Sequence, residues 1–124
     1  MKAIILAAGI GSRLGNLDPK PLTKLSNGEL ILQRQINYLS EYIGINNIYI
    51  IVGYKKDVII EAFPKLVYIY NNFYDITNTS KSLFLDLELS IQNGMKFIPN
   101  DISNYLWMEI DFLEDLSNIN NQLK

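Results

Sequence analysis

The sequence predicts an α/β protein: a Rossmann-like, mostly parallel sheet with flanking helices. Short continuous apolar runs alternate with stretches whose apolar residues recur every three or four positions, which is typical of strands alternating with helices. The length of 124 residues suits a single domain. Because crossovers between parallel strands are right-handed, the loops that follow the strands are expected at one edge of the sheet, where open α/β proteins bind ligands.

The individual elements follow from the same pattern. Three strands are predicted from the apolar runs at 2–8, 47–53 and 66–70, the first of them buried on both faces. Four helices are predicted at 29–43, 57–63, about 81–92 and 114–123. Two more short strands are expected at "KFIP" (96–99) and "YLWMEI" (105–110). The expected sheet order is third, second and first strand, with "KFIP" beyond the first.

Local stop and start signals support the helix assignments. Gly44 ends the first helix and Pro64 stops the second. Thr79 or Ser80 suits the N-cap of the third helix, and Gly94 lies where a C-cap glycine belongs.

Composition excludes several classes of function. The net charge is −2 without a basic block, which argues against nucleic-acid binding. The chain has no cysteine and no histidine, so disulfides, Ser-His or Cys-His triads and the commonest zinc ligands are excluded. The short apolar start lacks a cleavage-like context, and no apolar run reaches the length of a membrane span. We therefore expect a cytoplasmic protein that does not bind membranes.

The loop after the first strand carries a pattern that suits phosphate. Gly9 and Gly11 let the backbone bend and let its amides approach a ligand, and successive amides form an anion-binding nest. Arg13 adds a planar, permanently charged group, and Lys20 adds a point charge between two prolines. The combination suits a triphosphate; the competing interpretation is a glycine turn with two solvated cations.

Two better-known phosphate motifs do not match this loop. A Walker A sequence requires G-x-x-x-x-G-K-[ST], which is absent. A dinucleotide fingerprint requires a third glycine where Leu14 stands and an acidic residue after the second strand, where Gly53 to Lys56 stand. A dinucleotide cofactor is therefore not expected.

"LAAGIGSRLGNLDPKPL" (6–22) resembles the pattern L-A-A-G-x-G-x-R, then P-K, of the nucleotidyltransferases that activate sugar phosphates, phosphocholine and related phosphate esters. "NGELILQRQINYL", "IYIIVGYKKD" and "NNFYDITNTSKSL" are similar to the members that use phosphocholine or similar phosphoryl alcohols, commonly with CTP. The resemblance implies a shortened fold of the nucleotide-diphospho-sugar transferase type.

The resemblance also implies a reaction. An oxygen of a phosphate monoester, such as phosphocholine or a sugar 1-phosphate, attacks the α-phosphorus of an NTP, CTP in the nearest members, and pyrophosphate leaves. Mg²⁺ is the implied cofactor. The nucleophile is already an anion, which fits a chain without histidine or cysteine.

Site residues are carried over from the same resemblance. Arg13 and Lys20 are the implied catalytic residues. The implied nucleotide contacts are Ala8, Gly9, Gly11, Arg13, Asn78, Thr79 and Ser82. The last three occupy the stretch where such enzymes meet the base or ribose, and helix capping is their competing interpretation. Tyr54 either lines the site or covers the sheet edge.

The stretch "WMEIDFLEDL" (107–116) resembles the C-terminal end of the same enzymes. There an aspartate binds Mg²⁺, and Asp111 matches it; an N-cap role is the alternative, and both are compatible. Family members are about twice as long, and their middle section carries a second metal-binding aspartate that usually follows a glycine. The chain contains no Gly-Asp pair. Asp86, Asp101 and Glu109 are possible substitutes without a supporting spacing.

The chain is therefore interpreted as a single domain from which the middle of the fold is deleted. Residues 1–84 are the nucleotide-binding half and residues 85–124 are the C-terminal end, joined near Leu85 or Asp86. Three hypotheses follow: a compact nucleotidyltransferase, a catalytically inactive nucleotide-binding remnant, or a small interaction protein. The deletion is expected to leave an edge or apolar patch uncovered, which favours self-association.

Overall fold

Three parallel strands and four α-helices make up the described part of the chain. A computed structural model describes residues 1–11, 15, 18–75, 79–97 and 113–122. The sheet has the order β1-β2-β3, with β1 at Ala3–Ala7, β2 at Ile48–Val52 and β3 at Val67–Tyr70. The helices are α1 at Ile31–Ile43, α2 at Lys56–Ala62, α3 at Thr79–Gln92 and α4 at Leu113–Gln122. The α/β class and the order of the first three strands are confirmed.

Some element boundaries differ from the sequence prediction. Thr79 and Ser80 lie inside α3, so neither is its N-cap. Lys96 and Phe97 belong to no strand, and the rest of the predicted "KFIP" strand and all of the 105–110 strand lie outside the described residues. Gly94 has φ +82° and its N–H donates to the carbonyl of Ile91 (2.8 Å), which confirms a glycine C-cap. Within the described ranges, no helix is long and apolar enough to cross a bilayer.

The strand register brings the carboxyl ends of all three strands into one row. Val52 lies opposite Ala7 on one side and opposite Tyr70 on the other. The next residues along the chain, Ala8, Gly53 and Asn71, therefore leave the sheet side by side. This edge is where the loop predicted to bind phosphate begins.

One face of the sheet packs against α1 and α2. The buried cluster on this face consists of Ile5, Ala7, Leu32, Ile36, Ile48, Ile50, Val52 and Ile59. Leu39 and Ile43 pack against it, so the predicted apolar face of α1 is confirmed. The prediction that the first strand is buried on both faces is wrong, because Leu6 is 45% exposed in the middle of β1. In the described part of the chain β1 pairs only with β2, and a strand at the boundary of a sheet is less covered.

The buried residues among the described side chains of α3, in contrast, are polar. Asp86 and Ser90 are buried one helical turn apart, while Phe84 is 65% exposed and Ile91 58% exposed on the same helix. The side-chain amide of Asn71 donates from Nδ2 to Oδ1 of Asp86 at 2.6 Å. α3 is thus fastened to the residue that follows β3 by a hydrogen bond.

Burial changes the titration of this aspartate. Desolvation raises the pKa of Asp86, and the hydrogen bond from Asn71 opposes the rise only in part. Asp86 therefore keeps its proton to higher pH in the folded protein than in the unfolded chain.

The core predicts a sharp contrast between two neighbouring residues of α2. Ile59 is fully buried, whereas Val58 is 41% exposed. Ile59→Ala should lower the free energy of unfolding by about 2–4 kcal/mol through lost burial and an unfilled space, while Val58→Ala should change it by less than about 0.5 kcal/mol. Urea unfolding followed by circular dichroism measures both. Equal losses in the two variants would show that this face is not the core.

A second prediction concerns the pH dependence of stability. Because the folded state binds the Asp86 proton more tightly, the free energy of unfolding should fall as pH rises from the ordinary pKa of 3.8 through the raised pKa, and then level off. Asp86→Asn keeps an oxygen acceptor for Asn71 but does not titrate. Between the two pKa values, the free energy of unfolding of the variant should rise relative to that of the native protein by about 1.4 kcal/mol for each pH unit. Urea titrations over the acid range measure it, and parallel curves would contradict the raised pKa.

Candidate functional site

The floor of the candidate site is the carboxyl edge of the sheet. Two backbone hydrogen bonds join the three chain segments that leave it. The N–H of Tyr54 donates to the carbonyl of Ala8 (3.0 Å), and the N–H of Asn71 donates to the carbonyl of Val52 (2.9 Å). The backbone at Ala8, where the glycine loop begins, is thereby held by the segment that follows β2.

Gly11 and Lys20 approach each other closely above this floor. A Cβ on Gly11 would lie 3.1 Å from Cβ of Lys20, and Gly11 has φ +67°, a conformation that side chains disfavour. A Cβ on Gly9 would meet no described atom within 4 Å. The loop therefore closes at Gly11 and Lys20 and leaves approachable backbone at Gly9. This is the arrangement expected if backbone amides and one lysine receive an anion.

The backbone of Lys20 is held by a short turn. Pro19 is fully buried, and its carbonyl accepts a hydrogen bond from the N–H of Leu22 (2.8 Å). The carbonyl of Lys20 itself accepts from the N–H of Thr23 (3.0 Å). The proline-flanked segment thus gives the Lys20 side chain, which is half-buried, a fixed origin.

The structure brings together part of the set of residues predicted from the sequence. Ala8, Gly9, Gly11 and Lys20 lie at one edge of the sheet, and Thr79 and Ser82 lie in the first turns of α3. The three other predicted residues, Arg13, Asn78 and Asp111, lie outside the described residues, so their roles stay predictions.

No metal site is formed by the described residues alone. Across 1–11, 15, 18–75, 79–97 and 113–122, no group of three or more histidine, cysteine, aspartate or glutamate residues is close enough to hold a metal ion. Asp86, one of the suggested substitute ligands, instead accepts a hydrogen bond from Asn71.

Gly53 belongs to the site, although the sequence pointed to it only as a mismatch to the dinucleotide fingerprint. A Cβ on Gly53 would lie 2.6 Å from Cβ of Tyr74 and 2.9 Å from the carbonyl oxygen of Ala8, closer than real Cβ atoms approach. Only glycine lets the turn after β3 pack directly on the exit of β2. The available signal in the sequence was a glycine that ends the second apolar run, at the sheet edge predicted to bind the ligand.

Asn71 is a second residue that sequence reasoning missed. Its side chain is fully buried and uses both ends of the amide: Oδ1 accepts from the N–H of Phe73 (2.8 Å), and Nδ2 donates to Asp86. The first bond is an Asx-type turn that shapes residues 71–75. An asparagine directly after the third predicted strand was the signal, but its partner on α3 is 15 residues away.

Two lysines add positive charge to the same edge, where each lies over a tyrosine ring. The rings of Tyr54 and Tyr74 lie 6.3 Å apart. Nζ of Lys55 lies 5.6 Å from the ring centroid of Tyr54, and Nζ of Lys56 lies 4.2 Å from that of Tyr70. Tyr54 therefore packs at the sheet edge beside the loop, and the neighbouring lysines favour an anionic ligand.

A largely apolar cavity of about 270 Å³ lies away from this edge. Leu66 and Ile45 precede β3 and β2, so the cavity is near the opposite, amino-terminal ends of the strands. Its lining residues are Gln33, Ile36, Ile45, Ala62, Phe63, Pro64, Lys65 and Leu66. The phosphate chemistry predicted from the sequence is not located there.

α4 contacts the segment that follows the loop. The N–H of Ser26 donates to Oδ1 of Asn120 at 2.9 Å. This bond links the last described helix to a residue six positions after Lys20.

Comparison with known proteins identifies relatives that are named as nucleotidyltransferases. The chain is 36% identical over 132 residues to choline-phosphate cytidylyltransferase of Streptococcus pneumoniae, covering 95% of this chain and 56% of that enzyme. It is 39% identical over 118 residues to mannose-1-phosphate guanyltransferase of Aspergillus oryzae, covering 93% of this chain and 31% of that enzyme.

A solved structure confirms the fold. The structure of CTP:phosphocholine cytidylyltransferase from Streptococcus pneumoniae superimposes with a TM-score of 0.55 at 41% identity, covering 70% of this chain and 40% of that one. The parallel sheet with flanking helices thus has the nucleotide-diphospho-sugar transferase fold.

The alignments also show where the additional length of the relatives lies. The chain spans 56% of the pneumococcal enzyme, and the matched stretch takes 132 aligned positions for 95% of this chain. These 132 positions leave room for only short gaps in this chain, which is too little for a long segment missing between residues 84 and 86. The alignment therefore argues against the expected internal join: the unmatched part of the relative lies outside the aligned stretch.

A family model supplies the assignment. The model of the MobA-like NTP transferase domain matches residues 3–102, which include all three strands, the Gly9–Lys20 loop and α3. With the geometry of that loop and the identity to nucleotidyltransferases of two kinds, this match shows that the chain belongs to the MobA-like NTP transferase family.

Proposed function

We propose that this chain binds a nucleoside triphosphate at the Gly9–Lys20 loop and transfers its nucleotidyl group to a phosphate monoester. The observation that carries the proposal is the close approach of Gly11 to Lys20 at the carboxyl edge of the sheet. Lys55 and Lys56 add positive charge at the same edge. Membership in an NTP transferase family supports a triphosphate as the anion.

The proposed reaction is an in-line displacement. A phosphate oxygen of the acceptor forms a bond to the α-phosphorus of the NTP. The bond from that phosphorus to the oxygen bridging to the β-phosphate breaks, and pyrophosphate leaves with the electron pair. Loop amides, Lys20 and Arg13 are proposed to hold the β- and γ-phosphates and to neutralise their charge. The attacking oxygen is ionised already, so a general base is not required.

A divalent metal is part of the proposal, because members of the family generally use one. We propose Asp111 as a ligand of Mg²⁺, which prefers carboxylate oxygens and would neutralise phosphate charge when bound. Two observations support this. In the sequence, Asp111 directly follows the predicted strand at 105–110. α4 begins two residues later, and its Asn120 accepts a hydrogen bond from the N–H of Ser26, six positions after Lys20.

The substrates are proposed from the relatives. We propose CTP as the donor and phosphocholine or a sugar 1-phosphate as the acceptor, since the matched proteins include a choline-phosphate cytidylyltransferase and a mannose-1-phosphate guanyltransferase. A cytoplasmic location is proposed with them, because nucleoside triphosphates are cytoplasmic metabolites. Thr79, Ser82 and Asn78 are the proposed contacts to the nucleoside.

A second candidate function is nucleotide binding without transfer. The observation behind it is that the chain spans 56% of the pneumococcal relative. The phosphate loop would then be retained without the rest of the acceptor site.

Binding and transfer are tested on the same variants. Lys20→Ala removes a charge-assisted contact to phosphate and should weaken CTP binding by about 1.5–3 kcal/mol, which is at least tenfold. Lys24→Ala, four residues further along and exposed, should leave the affinity unchanged. Calorimetric titration with Mg²⁺ and each of CTP, UTP, GTP and ATP measures this. Absence of binding at millimolar concentration of every nucleotide would reject the proposed function.

Pyrophosphate release then separates the two candidate functions. The chain is incubated with CTP, Mg²⁺ and either phosphocholine or a sugar 1-phosphate. Release that is abolished by Asp111→Ala supports the transferase and the metal ligand together. Tight binding of CTP without release supports the nucleotide-binding alternative.

Self-association is a further proposal and concerns the exposed side of β1. Leu6 is 45% exposed and Ile10 is 42% exposed, and among the described residues β1 pairs with a neighbour on one side only. Such an apolar edge favours pairing of copies. The sedimentation coefficient should rise with protein concentration, and Leu6→Lys should suppress the rise, whereas Val67→Lys on the other boundary strand should not. A monomer at all concentrations would contradict this expectation.

A further inference from the structure

We propose that the hydrogen-bonded pair Asn71 and Asp86 positions the part of the site that receives the nucleoside. The inference rests on the proposed function, because the nucleoside is part of the proposed substrate. The pair is proposed to act on the affinity for the nucleoside and not on the affinity for the phosphates. Neither side chain is among the predicted nucleotide contacts. Both are buried, Asn71 to 0% and Asp86 to 3% exposure, so they are placed to act through their neighbours.

Asn71 is held in a single orientation. Its backbone N–H donates to the carbonyl of Val52 (2.9 Å), which pins it to the end of β2. Its side-chain Oδ1 accepts from the N–H of Phe73 (2.8 Å), and Nδ2 donates to Asp86 (2.6 Å). With one backbone bond and two side-chain bonds, Asn71 joins the sheet edge, the 71–75 turn and α3 at one point.

Asp86 transmits this attachment to the start of α3. It is the eighth residue of the helix, so Thr79 lies about 10 Å away along the axis and Ser82 lies one turn away. Among the described side chains of α3, Asp86 and Ser90 are buried, whereas Leu85, Leu87 and Leu89 are only half-buried. The hydrogen bond to Asn71 is therefore a directional contact that helps to set the height and rotation of the helix against the edge.

The turn shaped by Asn71 also reaches the phosphate loop. Tyr74 packs on Gly53 so closely that a Cβ there would lie 2.6 Å from Cβ of Tyr74. The same hypothetical Cβ would lie 2.9 Å from the carbonyl oxygen of Ala8, which accepts the N–H of Tyr54. A continuous set of contacts thus runs from Asp86 through Asn71 and Tyr74 to Ala8.

Loss of the pair should move the turn rather than unfold the protein. Without the acceptor on Asp86, the buried amide of Asn71 has an unpaired donor, and buried donors seek new partners. The cheapest response is rotation of the amide, which releases the N–H of Phe73 and with it the 71–75 turn. The bond from the N–H of Tyr54 to the carbonyl of Ala8 and the approach of Gly11 to Lys20 do not use the Asn71 amide. Both should remain in the variant, so phosphate binding should persist.

The test compares two ligands on the full chain. CTP probes the nucleoside and phosphate contacts together, whereas inorganic tripolyphosphate probes the phosphate loop alone. Asp86→Ala should raise the Kd of CTP about tenfold, which is within the usual coupling between linked sites, and should leave the Kd of tripolyphosphate unchanged. A merely structural role would weaken both ligands alike.

Three further variants serve as controls for this comparison. Asp86→Asn keeps an oxygen that accepts from Asn71 and should retain most of the CTP affinity. Glu88→Ala removes a carboxylate from the exposed side of the same helix and should change neither ligand. Lys20→Ala should weaken both ligands. If Asp86→Ala does not fold, Asn71→Ser replaces it, because a serine hydroxyl still accepts the N–H of Phe73 but cannot donate over the same distance.

Each outcome decides between the proposals. Selective loss of CTP binding in Asp86→Ala or Asn71→Ser supports the positioning role. Equal loss for both ligands, or no loss for either, overturns it while leaving the proposed function intact. If the native chain binds neither CTP nor tripolyphosphate, the proposed function itself fails and this inference fails with it.

Discussion

Alignment of the three strand ends is the constraint on which the rest of the structure depends. Val52 lies between Ala7 and Tyr70, so the chain leaves the sheet at three adjacent points of one edge. Every contact of the candidate site begins at these points: the glycine loop after β1, the glycine and tyrosine after β2, and the asparagine after β3. A shift of one residue between β1 and β2 would separate the Ala8 carbonyl from the Tyr54 N–H and turn each core side chain to the opposite face.

Two different kinds of interaction hold the parts that meet at this edge. The face of the sheet under α1 and α2 is apolar and closely packed, which makes the strands a rigid base. Around the ligand edge, contacts are instead made by glycines that permit close approach and by a buried amide–carboxylate pair. Hydrogen bonds are directional, so they specify position more narrowly than apolar packing does. The proposed function would place phosphates and a nucleoside relative to each other, and such a site would benefit from that difference.

The sequence predicted the fold more completely than the site, and particular residues show why. The apolar runs of β1 to β3 and the spacing of Leu32, Ile36, Leu39 and Ile43 in α1 are local patterns, and local patterns are visible in a single sequence. α3 defeats the same reasoning, because its leucine-rich pattern suggests an apolar inner face while Asp86 and Ser90 are the residues buried. The partner of Asp86, Asn71, follows a different element, and no spacing rule connects these two residues. The exposure of Leu6 depends likewise on what lies beside β1 rather than on β1 itself. The loop pattern was recognisable because its glycines and cations fall within one short stretch of chain.

The strand pairing also has a consequence for the order in which the protein folds. β2 and β3 pair residues close in sequence, such as Tyr49 with Val67, whereas β1 pairs Ala3 with Ile48 across α1 and the whole glycine loop. Closing the longer loop costs more chain entropy, so β1 is expected to join a β2–α2–β3 unit that has already formed. β1, which precedes β2 and β3 in the chain, is thus the last of the three described strands to find its place. Since the carbonyl of Ala8 reaches Tyr54 only at that step, the proposed nucleotide loop is completed when β1 docks, and a nucleotide bound there would select the finished sheet over every earlier species.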